Sequence, residues 1–412
     1  MINYFYDSYT ILNKVYSDKM FLKQAISSTI IEEKNRSLTI KTVYGVLDKD
    51  IELSYYISSL ADKNPKLVIR TILKISMYAI KYLNKAPYAV IDNAVELTKK
   101  LGKKGASGFV NAFLRRFSTT KIDLPKDKIS YLSVKYSYPT FAIKNLIKDY
   151  GEDVAINVMS YENEGSYLSF FNIDGEEYLK ERKVNYTKTV FDGLIYVKNF
   201  TMDDGFYKGL YTYQNIGSYA ICDITPRGDK LLDVCAAPGG KSINLSRKFN
   251  QVISYDVHPH RVELIKQYAQ RMKVENVTAN VGDSTVFIKE HENAFDVVLC
   301  DSPCSGFGVV SENPDMKLNR EFDDVKNIND LQLSILKNVS RYVKKGGYLV
   351  YSTCSVFSCE NQGIIDKFLV DNNEFCVEEV DSKLPHLKVK NGLQFLPHIS
   401  GGGFFVCKLK KI

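Results

Sequence analysis

No two of the eight cysteines in this 412-residue sequence are spaced C-x-x-C, which excludes the usual zinc-binding patterns and leaves no metal site to expect. Eight thiols in so long a chain are too sparse for a disulfide scaffold, and they are expected to remain reduced. No apolar run approaches the length that a bilayer requires, so no membrane partner is expected. The start, MINYFYDSYTILNKVY, lacks the basic-then-apolar pattern of a secretory signal, which points to a cytoplasmic protein. A phosphate loop is missing as well: Gly240, Lys241 and Ser242 fit the end of GxxxxGKS/T, but Cys235 stands where its first glycine belongs. The same turn also lacks the three spaced glycines of a dinucleotide fingerprint.

Hydrophobic residues make up 45% and charged residues 25%, the balance of a globular chain, which excludes global disorder and collagen-like repeats. The length exceeds what one hydrophobic core serves, so two or three domains are expected. Lys+Arg 55 against Asp+Glu 48 gives a net charge of +7, a mild excess that favours an anionic partner. Nothing in the sequence demands more than a monomer.

Residues 1–120 read as all-helical. In LVIRTILKISMYAIKYL, Ile69, Ile72, Leu73, Ile80 and Leu83 recur at helical spacing while Val68, Ile75, Met77 and Tyr78 fill other faces, which predicts a central, buried helix. Pro87 starts the next element, with Ile91, Ala94 and Val95 on one face and Gly102 at its end. In FVNAFLRRF, Phe109, Val110, Phe113 and Leu114 are expected to pack inward while Arg115 and Arg116 project from the helix end. Those arginines either complement the helix dipole or, with Lys99, Lys100, Lys103 and Lys104, form a phosphate-contacting patch.

Residues 121–210 mix short helices such as TFAIKNLIKDYG with β-like runs, YLSFFNI and GLIYVKNF, and predict a small α+β domain. From 211 to 412 strands alternate with helices. KLLDV, QVISYD, VTANV, FDVVLC and GYLVYS are the β-rich runs, separated by INLSRKF, RVELIKQYAQRM and VKNINDLQLSILKNVSRYV. The alternation predicts a doubly wound, largely parallel, Rossmann-like α/β sheet with ligands at the carboxyl ends of its strands.

Those strand ends carry the chemistry. CAAPGGKS follows the first, a glycine turn that opens a helix; Asp256 ends the second; Gly282-Asp283-Ser284 follows the third. Each acid alone suits a helix N-cap. Together the three ends suit a nucleoside-bearing ligand with a cationic centre, such as S-adenosylmethionine. The fourth and fifth strands deliver Asp301-Ser302-Pro303-Cys304 and Ser352-Thr353-Cys354, bringing two thiols to one face. Buried, inert thiols are the bland alternative, and it suits Cys222, Cys376 and Cys407 best, with Cys300 and Cys359 also expected to be structural. A redox pair is a second alternative for Cys304 and Cys354, although it leaves the nucleoside pocket unexplained.

A methyl donor beside two thiols suits methylation of a pyrimidine at carbon 5. Addition of a thiolate to carbon 6 turns that poorly nucleophilic carbon into an enamine carbon, and a second group near the ring then serves the acid–base work of product release. Asp301 is a candidate for hydrogen bonding to the polar edge of cytosine. Spacing alone leaves open which cysteine attacks.

DVCAAPGGKS, DSPCSGFG, ENPDMK and YSTCSVFSCEN resemble the RNA cytosine-5 methyltransferases, and the whole chain is similar to the 16S ribosomal RNA methyltransferases of the RsmB/Sun type. APYAVIDNAVELTKKLG and GFVNAFLRR resemble the NusB-like helical region of that family. The resemblance implies a NusB-like RNA-binding domain over 1–120, a small α+β RNA-binding or linker domain over 121–210, and an S-adenosylmethionine-dependent methyltransferase domain over 211–412. Cys235, Ala236, Ala237, Pro238, Gly239, Gly240 and Lys241 are implied to line the cofactor pocket, Asp256 to hold the ribose, Asp283 to sit near the adenine, and Asp301 to border cofactor and base. Cys354 of the TCS motif is implied as the nucleophile and Cys304 of the PCS motif as the thiol that helps release the product.

In YTYQNIGSYA, Gln214 and Ser218 are implied to support the cofactor site, and GGGFFVCKLKK, with Gly403 and Phe404, resembles the closing strand. Lys317 of ENPDMK joins Arg115 and Arg116 as a candidate RNA contact, while PDMKLN departs from the family in lacking the tryptophan common after PDIK. The implied partner is 16S ribosomal RNA or an assembling small subunit. A transfer-RNA cytosine-5 methyltransferase would keep the catalytic motifs but gives no reason for the NusB-like region. A non-catalytic RNA-binding assembly factor, of a different class, has no use for both thiols and three acids. An amino-group methyltransferase would carry D/N-P-P-Y/F where DSPC stands.

Overall fold

The structure is a computed structural model that describes residues 2–318 and 321–412. The chain divides into two compact units, Met1–Ser160 with Val310–Arg320, and Tyr161–Val309 with Glu321–Ile412.

The first unit is helical. Its long helices are Ile2–Ser17, Glu33–Asp48, Asp50–Leu60, Leu67–Lys81, Pro87–Lys100 and Ser107–Thr119, followed by Lys128–Tyr136, Thr140–Tyr150 and Glu152–Ser160. The helix Leu67–Lys81 is central, as its pattern predicts: Ile72, Leu73, Ile75 and Met77 are fully buried, each worth roughly 1.5–3 kcal/mol of transfer free energy. Pro87 occupies the first turn of its helix, and Gly102 follows the last turn at φ +71°. Phe109, by contrast, is exposed, because the Ser107–Thr119 helix buries Val110, Phe113 and Leu114 on a face that leaves Phe109 outside.

The helix expected over TFAIKNLIKDYG is present as Thr140–Tyr150 and the small sheet begins at Gly165; residues 128–160 are helices grouped with the first unit. Asp127 caps the first of these by accepting from the Ser130 N–H at 2.9 Å, and Leu132, Ala142, Ile143, Leu146 and Val158 supply their buried faces. Lys317 also belongs to this unit and is only 4% exposed, so as placed it does not face outward as an RNA contact. The reason is local: its ammonium lies 2.7 Å from both the Asp48 carboxylate and the Asp48 carbonyl at the end of the Glu33–Asp48 helix, where a cation is favoured.

The second unit holds two sheets. The smaller is antiparallel, built from β1 (Gly165–Phe170), β2 (Tyr186–Lys188), β3 (Leu194–Lys198) and β4 (Tyr211–Tyr213) in the order β2-β3-β1-β4. The larger contains β5 (Gly228–Asp233), β6 (Phe249–Asp256), β7 (Val277–Val281), β8 (Phe295–Asp301), β9 (Val343–Thr353), β10 (Phe375–Glu378), β11 (Leu387–Val389), β12 (Gly392–Phe395) and β13 (Phe404–Lys411). Its order is β11-β12-β13-β9-β8-β5-β6-β7, with β10 also pairing β13. Neighbours from β7 to β9 are parallel, whereas β13 joins β9 antiparallel.

Alternation along the strands gives the large sheet two buried faces. Leu231, Val252, Leu299 and Val350 pack with Ala220 and Ile221 of the helix Ile216–Ile224. Leu232, Val298, Leu349 and Tyr351 pack with Leu336 of the helix Phe322–Val339 and Ile365 of the helix Gln362–Asp371. Strand order reverses between β5 and β8, which makes their carboxyl ends the crevice of a doubly wound sheet. The helix expected over INLSRKF is shorter than its pattern, Gly240–Leu245. Among the described residues no helix is long and apolar enough to cross a membrane, and no group of three or more His, Cys, Asp or Glu could hold a metal ion.

Candidate active site

The pairing of β8 with β9 sets Asp301 opposite Ser352, and the Ser302 N–H donates to the Ser352 carbonyl at 2.8 Å just past the sheet edge. The two chains therefore leave the sheet side by side. Cys304 and Cys354 come next on each, and their Sγ atoms lie 3.0 Å apart as free thiols in hydrogen-bond contact. Gln332, on the helix Phe322–Val339, holds the first loop by donating to the Pro303 carbonyl at 2.8 Å. The Gly308 N–H holds the second by donating to the Cys354 carbonyl at 2.9 Å, and Gly403 N–H donates to Gly308 at 2.8 Å. A Cβ on Gly308 would come within 1.9 Å of the Gly403 carbonyl oxygen, so that approach requires glycine.

Lys241 reaches this pair of loops from the turn after β5. Its Nζ is 2.7 Å from Asp301 Oδ2, while Ser352 Oγ donates to Asp301 Oδ1 at 2.8 Å. Burial works to lower the Lys241 pKa, but the Asp301 carboxylate outweighs it and holds the ammonium above its ordinary value, with a Cys354 thiolate adding to the effect. Cys304 is pushed well above the usual thiol range, first by its hydrogen bond to Cys354 and then by burial. Either sulfur can donate in the S–H···S contact. Burial also pushes Cys222 up to about 12 and raises Cys235, Cys300 and Cys407, which makes these four poor nucleophiles. Cys376 is exposed near the start of β10, contrary to the core position expected for it; its neighbour Phe375 takes the buried face.

On the cofactor side, the Cys235–Lys241 turn connects β5 to the helix Gly240–Leu245. Gly239 sits at φ +108°, and a Cβ there would press to 3.2 Å on Ile265; a Cβ on Gly240 would meet nothing within 4 Å, so the turn faces open space. Asp233 ends β5 at 1% exposure, and burial lifts its pKa to about 7. Ser242 Oγ donates to its Oδ2 at 2.6 Å, whereas Oδ1 is buried without a partner. Asp256 is buried at the end of β6, accepting from the His258 N–H at 3.1 Å with Arg261 at 3.4 Å. Asp283 is exposed, and its Oδ1 accepts from the Thr285 N–H at 2.8 Å and the Thr285 hydroxyl at 2.7 Å. Those hydrogen bonds, the hydroxyl's first, hold its pKa below the usual carboxylate value.

This donor set fits S-adenosylmethionine. A buried acid with one unpartnered oxygen suits a cationic amino acid moiety, a second acid one strand away suits ribose hydroxyls, and the glycine turn leaves room for close approach. Gln214 backs the site, accepting from Asn244 at 2.9 Å, and Ser218 is half-buried on the helix Ile216–Ile224. Phe404 lies with its ring centroid 5.7 Å from Lys241 Nζ.

A family profile described as 16S rRNA methyltransferase RsmB/F matches residues 224–410, and the NusB family profile matches residues 8–119. The probable ribosomal RNA small subunit methyltransferase B of Bacillus subtilis (strain 168) is 33% identical, over 97% of this chain and 95% of the relative. The chain belongs to the RsmB/F family. The ribosomal RNA small subunit methyltransferase B of Yersinia enterocolitica, 26% identical over 98% of this chain and 99% of its own, extends RsmB/F likeness across the full length. The solved structure of PH0851 shares the fold at TM-score 0.86 and 21% identity, covering 100% of this chain and 98% of that one.

Among the expected RsmB/F site residues, the structure brings Cys304, Cys354, Asp301 and Lys241 into one cluster at the ends of β8 and β9 and in the turn after β5. Arg115 and Arg116 are exposed in the helical unit and line a groove of about 460 Å³ with Tyr88 and Asp92. Sequence reasoning missed Asp233, Ser352, Gln332 and Glu360. Asp233 ends the first apolar run as Asp256 ends the second, a signal that was available; Glu360 lies within YSTCSVFSCEN with no role read for it, and Gln332 lies beyond the motif it supports.

Proposed function

We propose that this protein uses S-adenosylmethionine to methylate carbon 5 of a cytosine in 16S ribosomal RNA, with Cys354 as the nucleophile and Cys304 as the thiol that serves product release. The observation that carries the reading is the 3.0 Å pairing of two thiols at the ends of adjacent parallel strands, beside a Lys241–Asp301 ion pair.

Cys354 reacts as a thiolate, its proton having passed to solvent. Its sulfur forms a bond to carbon 6 of the extruded base, and the carbon 5–carbon 6 π pair moves to carbon 5. S-Adenosylmethionine supplies the electrophilic methyl group and leaves as S-adenosylhomocysteine. Loss of the carbon 5 proton to solvent then restores the double bond, and the carbon 6–sulfur bond breaks with its pair returning to Cys354. Cys304, which holds its proton, donates to that departing sulfur. Asp301, fixed by Lys241 and Ser352, accepts from the polar edge of the cytosine. Cys235 through Lys241, Asp233 and Asp256 hold the cofactor, with Asp283 beside its adenine. Arg115 and Arg116 contact RNA phosphates, and the enzyme acts as a cytoplasmic monomer on 16S ribosomal RNA or an assembling subunit.

The test is a denaturing gel of Cys304→Ala incubated with S-adenosylmethionine and 16S ribosomal RNA. A protein–RNA band that survives denaturation and disappears in Cys304→Ala/Cys354→Ala is expected. Methyl transfer by wild type with no trapped band in Cys304→Ala would exchange the cysteine roles or move the chemistry away from carbon 5.

A further inference from the structure

Glu360 is fully buried in the loop that follows the TCS motif. Its two oxygens are used on the residues that come directly after the two thiols. Oε1 accepts from the Ser305 backbone N–H at 2.7 Å, and Oε2 accepts from Ser305 Oγ at 2.5 Å and from Ser355 Oγ. One side chain thus ties the loop after β8 to the loop after β9. Its own backbone is anchored, because the fully buried Tyr351 donates its hydroxyl to the Glu360 carbonyl at 2.7 Å. Asn361 completes the grip on one side: it accepts from Thr353 Oγ1 at 2.5 Å and donates to the Ser355 carbonyl at 3.0 Å, bracketing Cys354.

A carboxylate taken wholly out of water costs several kcal/mol unless its oxygens are satisfied. Two serine hydroxyls and an amide provide that satisfaction here, and they tie together two segments 50 residues apart. Sheet pairing alone ends at Ser302 and Thr353, one residue short of Cys354 and two short of Cys304. Beyond the sheet edge the bridge through Glu360 joins the residues directly after the two thiols, while the Gly308 N–H to Cys354 carbonyl bond joins the loops further along.

We infer that Glu360 is a positioning residue that fixes the Cys304–Cys354 separation by bridging Ser305 and Ser355, so that the release thiol stays in contact with the nucleophile's sulfur. The consequence for turnover rests on the cysteine roles proposed above; the geometric consequence does not. Misplacing a catalytic group by about 1 Å costs on the order of 10²-fold in rate.

The experiment compares Glu360→Ala, Glu360→Gln and wild type in the full chain, using three readouts. Isothermal titration with S-adenosylmethionine checks that the cofactor side is intact. The rate at which diamide, a two-electron thiol oxidant, converts the Cys304 and Cys354 thiols to a disulfide reports their separation directly. Turnover and trapped adduct on 16S ribosomal RNA report the chemistry. Expected for Glu360→Ala are cofactor affinity within about twofold of wild type, diamide coupling slowed at least tenfold, kcat down about 10²-fold and an adduct like that of Cys304→Ala. Glu360→Gln, which can still bridge both hydroxyls, is expected to recover most of each loss. If Glu360→Ala does not bind cofactor, Ser305→Ala/Ser355→Ala takes its place with the same expectations.

Unchanged diamide coupling in a variant that binds cofactor overturns the inference, whatever the rate of methylation. A fall in cofactor affinity, coupling and kcat together, with no recovery by glutamine, also overturns it, because that is loss of fold. Slowed coupling alongside a Cys304→Ala variant that traps no adduct leaves Glu360 as the positioning residue and removes the assigned cysteine roles instead.

Discussion

Lys241 and Asp301 stand 60 residues apart in sequence and 2.7 Å apart in space, joining the cofactor turn after β5 to the end of β8. Each is where it is because β5 and β8 are neighbours at the reversal of strand order, so a side chain from the first loop reaches the second strand's last residue. The pair places a cation within electrostatic reach of Cys354 while keeping the acid oriented by Ser352.

Lys241→Met removes that cation and leaves the acid. We expect kcat to fall about 10²-fold, because the site loses a fixed charge and the partner that orients Asp301. Lys241→Arg retains the charge and should recover part of that loss. Steady-state methylation checks both.

Asp233 leads to a prediction of opposite kind, about proton uptake. Its folded-state pKa of about 7 lies above the ordinary value of 3.8, so the folded protein without cofactor binds a proton that the unfolded chain has released in that interval. Its contribution to stability is therefore fully present below pH about 4 and lost as pH rises through about 7. Thermal melting of wild type should fall across that window more steeply than melting of Asp233→Asn. Binding of a cationic cofactor against the unpartnered Oδ1 should release the proton, seen near neutral pH as a calorimetric binding enthalpy that depends on the buffer's ionisation heat. Equal buffer dependence in Asp233→Asn would place the released proton elsewhere.

Lys317 and Asp48 test stability rather than chemistry. Burial lowers the Lys317 pKa, and the carboxylate of Asp48 counters that effect across 2.7 Å. Asp48→Ala strands a buried ammonium and should cost about 3 kcal/mol, while Lys317→Met, which removes the charge and keeps the stem, should cost far less. Denaturant unfolding measures both. Neither substitution should change the salt dependence of RNA binding.

The strands of the large sheet are legible because each is a short apolar run closed by a small or acidic residue, and the sheet stacks those closures along one edge. That is why Asp256, Asp301, Cys304 and Cys354 are readable, before any coordinates, as residues gathered at one edge of the sheet. Lys317 is not readable in this way: a lysine in a polar motif resembles a solvent-facing contact, and only the end of a helix far away in sequence explains its burial. Phe109 fails for a smaller reason, since an apolar residue at the edge of a helical stripe can fall on either side of it. Gln332 acts on a loop it does not belong to, and Glu360 acts partly across to the loop after β8, so no local pattern marks these roles. The helix over TFAIKNLIKDYG and the strands over YLSFFNI and GLIYVKNF are legible from their patterns, whereas the unit with which the helices of residues 128–160 pack is decided by tertiary contacts that no local pattern marks.

Arg115 and Arg116 bring together two physical readings that one measurement separates. Both lie in the last part of the helix Ser107–Thr119, where a cation near the terminal carbonyls is favourable, and Arg116 Nη1 donates to the Leu60 carbonyl at 3.2 Å. Arg115 Nε donates to Asn111 at 3.2 Å, which leaves its other guanidinium donors for the groove beside Tyr88, itself 75% exposed. If the arginines contact RNA phosphates, Arg115→Ala/Arg116→Ala should raise the KM for 16S ribosomal RNA with kcat unchanged. It should also flatten the log–log salt dependence of binding by roughly 0.7–0.9 per contact removed. Asp92→Ala, which removes the groove's acid, should strengthen binding. If the arginines serve only the helix end, the double variant should melt at a lower temperature while KM and the salt slope stay where they are. A fluorescence binding titration at three ionic strengths, run beside a thermal melt of the same variant, distinguishes these outcomes, and an unchanged slope removes the groove from the RNA-binding surface.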